Sequence, residues 1–302
     1  MTVLSEYFVK MADILPATME VETTLFEEGF SNKVYLIHWG KVSRFVLRIP
    51  YIDSSAFYIN RTEEINTLKH AASIGLSPVV AWHDDEGSFA CQFVSQPSLD
   101  WAVRHQDKDI PRIAQALVQT HSLPMNHHYY GVFDVIEHYL NGIQRYGCET
   151  PSLMVEYDYL TSLLKQLTPP EMILPPVLCH NDLNPKNILM DSEQLWLIDW
   201  EYSGVGDPLF DLAVVVKSHN LDARQTVLLL SSYRSDLPEE RSLDVIQEYV
   251  KAYGLREMAW LLLKHLVTPQ DELSLQYYYE FKATPALNPF HETESNAMNE
   301  VS

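Results

Sequence analysis

The 302-residue chain carries 41 acidic against 21 basic residues, a formal charge of −20, and is 46% apolar. That apolar content excludes a largely disordered chain, and the length suffices for a large core in two lobes. The acidic field disfavours nucleic acid and anionic membrane as partners and favours cationic ligands, while three cysteines (Cys91, Cys148, Cys179) without metal-ligand spacing argue against a disulfide framework or a zinc cluster.

The N-terminal stretch holds Glu6, Asp13, Glu20 and Glu22 and lacks the apolar region of a signal peptide. No run approaches the roughly 18 apolar residues of a membrane span, so a cytoplasmic location is expected. Residues 21–26 and 33–38 read as strands flanking Glu27-Glu28-Gly29-Phe30-Ser31-Asn32. A third strand, 44–49, follows the turn at 39–41. Between 60 and 72, Ile65, Leu68 and Ala72 recur at helical spacing, with Asn60 or Thr62 as cap. Strands at 79–82 and 88–93, joined by the acidic turn 84–87, complete a small sheet, and Val94-Ser95-Gln96-Pro97 breaks the pattern. The expected division is a strand-rich lobe over 1–95 and a helical one over 96–302. Helices are expected at 110–123, 133–146, 153–167, 239–253, 255–267 and 271–281. Another opens at Asp222, with Gln225 at the reciprocal capping position. Residues from about Thr284 are polar and expected to fray.

The most telling segment is His180-Asn181-Asp182-Leu183-Asn184-Pro185-Lys186-Asn187, followed by Ile198-Asp199-Trp200-Glu201. It sets an amide five residues after a carboxylate and a second carboxylate seventeen residues after the first. Phosphoryl transfer from ATP needs such groups: a base that orients the acceptor hydroxyl, and an amide and an acid that hold magnesium on the phosphates. The runs 188–190 and 195–198, separated by Asp191-Ser192-Glu193-Gln194, read as a hairpin with Asn187 at its start and Asp199 at its end. An isolated HxDxxxxN has a real false-positive rate, which Asp199 at the end of an apolar strand reduces.

Residues 180–213, HNDLNPKNILMDSEQLWLIDWEYSGVGDPLFDLA, resemble the choline/ethanolamine kinase and aminoglycoside phosphotransferase superfamily. The IDWEYSGVGDPLFDLA part is similar to bacterial choline and thiamine kinases. The resemblance implies an α+β, bilobal protein-kinase-like fold, with a small antiparallel-sheet N-lobe and a larger helical C-lobe. It implies ATP and Mg²⁺ as cofactors, Asp182 as catalytic base, and Asn187 and Asp199 as magnesium ligands. His180 would brace the loop, and Asp211 would be the buried acid that bonds the loop backbone. The "GFSN" of residues 29–32 resembles a phosphate loop, with Ser31 and Asn32 as contacts. Arg48 stands where protein kinases carry their phosphate-binding lysine, and family spacing makes Glu64 its partner, with Glu63 as the local competitor. Adenine would lie against the backbone of Gln92 to Val94. One departure from protein kinases is Asn184 in place of the loop lysine; Lys186 either substitutes for it or is solvated.

Only eleven residues separate Asp199 from Asp211, with no APE-like segment, which leaves no room for a peptide-docking platform. A small-molecule acceptor is expected. Trp200 and Glu201, beside Asp199, are candidates to hold a cationic group by ring face and carboxylate. Asp207, next to Pro208, reads as a helix cap in preference to an acceptor ligand. Choline or ethanolamine is the first expectation and thiamine the alternative. An aminoglycoside acceptor or a silent nucleotide-binding pseudokinase ranks lower. No protein partner is indicated.

Overall fold

The structure, a computed structural model, describes residues 3–26 and 31–291. Gly29 and Phe30 of the phosphate-loop motif lie outside the described residues, whereas Ser31 and Asn32 lie within them. Strands β1 (Glu22–Phe26), β2 (Asn32–Trp39), β3 (Val42–Pro50), β4 (Val80–His83) and β5 (Phe89–Gln92) form one antiparallel sheet, ordered β1-β2-β3-β5-β4. Successive side chains of a strand point to opposite faces. Leu47 and Ile49 therefore join Ile37 and Ala90 in a core completed by Tyr7 and Met11, at the end of helix α1 (Val3–Lys10). Arg48, between them in sequence, points to the other face, where α2 (Arg61–Ser73) lies. Asn60 caps α2 by accepting from the Glu63 amide. Alpha helix α1 is absent from the expectations above: eight residues give too short a periodic signal to separate from an acidic terminus.

The helical part is built from α3 (Ile110–His121), α4 (Val132–Gly147), α5 (Pro151–Leu164), α6 (Pro208–Ser218), α7 (Ala223–Tyr233), α8 (Glu239–Val267) and α9 (Glu272–Ala283). Helices α4, α6 and α9 pack on α8, and α3 packs on α7. The expected hairpin is present as β7 (Ile188–Met190) with β8 (Leu195–Leu197). A second two-stranded piece joins β6 (Val177–Cys179) to β9 (Gly204–Gly206). Asp222 and Gln225 form the expected reciprocal cap of α7. Among the described residues, no helix is long and apolar enough to cross a membrane.

Two expectations require correction. The helices expected at 239–253 and 255–267 are one 29-residue helix. Gly254 does not break it, because an interior glycine costs only about 1 kcal/mol against alanine and packing outweighs that. A Cβ there would lie 2.6 Å from Pro289, so the position accommodates a close approach. The stretch after Thr284 is not frayed through residue 291: Asn288 and Phe290 are buried, and the Asn288 side chain donates to the Lys282 carbonyl at 2.9 Å.

Candidate active site

Strand β6 ends at Cys179 and hands the chain to a loop whose shape is fixed by short-range bonds. Asn181 is left-handed (φ 64°), and Asn184 accepts from the Lys186 amide, closing a 3₁₀ turn at Pro185–Asn187. Proline suits the first position of such a turn because its ring presets φ. The buried Asp211 carboxylate takes the His180 and Asn181 amides at 2.8 and 2.6 Å, and His121 Nε2–H at 3.0 Å. Burial opposes its ionisation, but His121 and the loop amides hold it below the usual carboxylate range. Burial keeps His180 neutral, and its Nε2–H donates to the Ile198 carbonyl at 3.0 Å. His219 donates Nε2–H to the Leu183 carbonyl at 3.1 Å and accepts at Nδ1 from His105 at 2.8 Å, and burial pushes its pKa down to about 3. His121, Cys179 and Asp211 lie close enough to bind a metal. The carboxylate is already occupied by three N–H donors, so the cluster reads as a brace.

Asp182 emerges from this braced loop. Its Oδ2 accepts from Asn184 Nδ2 (3.1 Å) and Asn187 Nδ2 (3.0 Å), and its Oδ1 accepts from Arg256 Nη2 (2.8 Å). Asn187 Nδ2 also donates to the Asp182 carbonyl at 2.8 Å, so its nitrogen is committed and its amide oxygen is the atom left to act as a ligand. Asp199, left-handed at φ 63°, follows β8, where the Ile198 amide bonds the Asn187 carbonyl at 3.0 Å. That bond ties the two motif halves together. Sparsely populated backbone conformations of this kind persist where the surroundings over-determine them.

Across the cleft, Arg48 bonds Asp199 Oδ1 at 2.7 Å through Nη1 and pairs with Glu64 through Nη2. Arg61 adds bonds of 2.9 Å to both Glu64 and Glu201, and Asn32 Nδ2 donates to Glu201 at 3.0 Å. Burial works against Glu201 ionising, yet Arg61 and Arg48 keep its pKa low. Asp199 is shifted the other way, raised by burial and then by the Glu201 charge. A hard amide oxygen beside a carboxylate held in excess of nearby cations fits magnesium, which prefers oxygen ligands. Asn187 and Asp199 are the residues that would hold it.

Residues 22–261 match the sequence profile of the phosphotransferase enzyme family. The chain belongs to that family. The chain is 27% identical over 212 residues to Protein LicA of Haemophilus influenzae, a match covering 68% of the chain and 60% of that protein. It is 25% identical over 212 residues to Ethanolamine kinase 1 of Mus musculus, covering 64% of the chain and 57% of that protein. The chain thus spans less than two thirds of either relative. Its fold matches the crystal structure of choline kinase LicA from Streptococcus pneumoniae with a TM-score of 0.72 at 22% identity, over 95% of this chain and 99% of that one. The protein-kinase-like α+β fold follows from that likeness.

In this family member the structure brings Asp182, Asn187, Asp199, Arg48 and Glu64 to one cleft and sets His180 and Asp211 beneath it. Glu64, not Glu63, faces Arg48. Asn32 reaches the cluster through Glu201, whereas the Ser31 carbonyl accepts from the amides of Tyr51 and Ile52. The Gln92 amide is committed to the Val79 carbonyl, and of the expected adenine contacts Val94 lies just beyond the sheet. Asp207 caps α6 by accepting from the Leu209 amide, and Tyr249 donates to its other oxygen.

The expected acceptor contacts, Trp200 and Glu201, are displaced by their environment. Trp200 is 1% exposed, its ring lies 4.6 Å from that of His180, and its Nε1–H donates to Ser77 Oγ at 2.8 Å. Glu201 is buried against Asn32 and Arg61 on the sheet side. Neither presents a face to an acceptor. Lys186 lies 3.7 Å from Asp100. Arg256, Glu257, Arg61, His121 and His219 join the site without having been read from the sequence. An arginine or histidine inside an amphipathic helix has the same local signature whether solvated or buried.

Proposed function

We propose that this protein is an ATP-dependent kinase that phosphorylates the hydroxyl of a small amino alcohol of the choline and ethanolamine class. The observation that carries the reading is the convergence of Asp182, Asn187 and Asp199 from one loop and hairpin onto the Arg48–Glu64 pair. Asp182, fixed by Asn184, Asn187 and Arg256, orients the acceptor hydroxyl toward the γ-phosphate and takes its proton as the new P–O bond forms and the bond from the γ-phosphorus to the β–γ bridging oxygen breaks, releasing ADP. Magnesium on Asn187 and Asp199 supplies charge neutralisation at the phosphates when bound. Arg48 offers a planar fork to phosphate oxygens, and Glu64 holds that fork in place. No protein nucleophile is needed.

Two features support the acceptor class. The net charge of −20 favours a cationic substrate, and relatives carry choline kinase or ethanolamine kinase as names. The span between Asp199 and Asp211 is occupied by β9 and the cap of α6, in keeping with an acceptor smaller than a peptide. A thiamine acceptor draws on the same DWEY segment, and none of the relatives described above favours it. The test is a coupled assay of ADP release over choline, ethanolamine, thiamine, an aminoglycoside and methylthioribose. Asp182→Asn should lower kcat by about 10²–10⁴-fold with little change in melting temperature. Turnover restricted to a neutral sugar, or unaltered turnover in a folded Asp182→Asn variant, would reject the reading.

A further inference from the structure

Beside Asp182 lies a box of aromatic rings, and its tenant is part of the chain. The guanidinium carbon of Arg256 sits 5.1 Å from the ring centre of Tyr253, 5.6 Å from Tyr202 and 6.0 Å from Phe210. These are the distances at which ring faces attract a cation. The side chain is 4% exposed, and all five of its N–H groups are used. Nη1 donates to the Asn181 carbonyl (2.5 Å) and Tyr130 OH (3.1 Å). Nη2 donates to Asp182 (2.8 Å) and Glu257 Oε1 (2.7 Å), and Nε donates to the same Oε1 (3.0 Å). Arg256 is therefore fixed, and it has no donor left for an anionic acceptor.

We propose that Arg256 and Glu257 determine acceptor selectivity by favouring an amino alcohol that carries N–H donors over a quaternary one; this rests on the amino-alcohol kinase reading above. A quaternary ammonium has no hydrogen to donate and relies on ring faces and charge. Here the rings nearest the catalytic base are covered, and a like charge occupies the box. The two carboxylates outnumber the one guanidinium between them, so a positive acceptor is still attracted. Glu257 is 26% exposed and Asp182 16%, against 4% for Arg256, so the acids and not the cation meet the cleft. Glu257 Oε1 takes both Arg256 bonds, and Oε2 takes none from any described residue. Because one nitrogen, Nη2, bonds both carboxylates, a two-carbon amino alcohol is short enough to place its ammonium at Glu257 and its hydroxyl at Asp182. Each N-methyl group removes one donor and adds bulk at that carboxylate.

The experiment is a kinetic series over ethanolamine, N-methylethanolamine, N,N-dimethylethanolamine and choline, with ATP and magnesium. Wild type, Glu257→Gln and Arg256→Ala are compared, the last with and without millimolar guanidinium chloride. In the wild type, kcat/KM should fall along the series, by at least about tenfold from ethanolamine to choline, the scale of a hydrogen bond to a charged group. Glu257→Gln should raise KM for ethanolamine more than it lowers kcat and flatten the series. Arg256→Ala opens the box, so the choline-to-ethanolamine ratio should rise about tenfold, and guanidinium should restore the original preference. A wild type that uses choline as well as ethanolamine overturns the proposal. So does a choline-to-ethanolamine ratio in Glu257→Gln equal to that of wild type, a result independent of whether Arg256→Ala folds. If no member of the series is phosphorylated by wild type that still binds ATP, the kinase reading itself falls and takes this one with it. Turnover with the reversed order removes the selectivity proposal alone.

Discussion

Asp211 shows how one buried carboxylate governs a loop it does not belong to. It collects two consecutive loop amides and a histidine N–H, so its removal leaves three donors without an acceptor in a site closed to water. Each orphaned buried donor costs about 1–3 kcal/mol. Asp211→Ala should therefore destabilise the fold by at least about 3 kcal/mol in urea unfolding. Activity should fall as well, because the same amides carry Asp182. A variant with unchanged stability would mean that water or a neighbouring group takes over the bonds. The motif residues were legible because their spacing is local: Asp182, Asn187 and Asp199 come from one short loop and one hairpin. Arg256, His121 and His219 arrive from helices far along the chain, and their contacts depend on packing that no local pattern encodes. Trp200 illustrates the converse, since it follows Asp199 in sequence yet is buried, with its Nε1–H bonded to Ser77.

At the level of elements, the strands and most helices follow from alternation and 3.6-residue periodicity, and caps such as Asp222 with Gln225 sharpened their starts. The continuity of α8 through residue 254 has a different origin. Glycine reads as punctuation, yet Gly254 sits inside a continuous helix because Pro289 presses against it. This sets local propensity against packing, and the outcome is measurable. Gly254→Ala gains about 1 kcal/mol of helix propensity but drives a methyl group to 2.6 Å from the Pro289 ring. Overpacking of that kind costs about 1–3 kcal/mol. The variant should unfold at a lower urea concentration than wild type, while Gly254→Ala combined with Pro289→Ala should recover most of the loss. A single variant more stable than wild type would show that the 284–291 segment gives way easily.

For the molecule as a whole, acidity acts on stability through groups the fold keeps neutral. His219 is the strongest case, because its neutral tautomer is required twice, as donor to Leu183 and as acceptor from His105. Its pKa is about 3 in the folded chain against 6.5 for the free group, so below pH 6.5 the unfolded chain binds a proton that the folded chain refuses. The sign follows from linkage: the stabilisation is complete above pH 6.5 and is lost as the pH falls toward 3. His105, His128 and His180 are shifted in the same direction, each mainly by burial. The net charge of −20 shrinks as carboxylates protonate, which relieves self-repulsion and opposes the histidine effect. Comparing variants isolates the histidine contribution. His219→Gln keeps a donor for Leu183 but cannot take up a proton. Between pH 7.5 and 5.5, wild type should lose about 1.4 kcal/mol more than His219→Gln, the linkage value for one group one pH unit below its unfolded pKa. Urea unfolding of both proteins at the two pH values measures it. Parallel losses in the two proteins would mean that His219 accepts its proton without leaving the loop. The brace beneath Asp182 would then not be the acid-sensitive element of this fold.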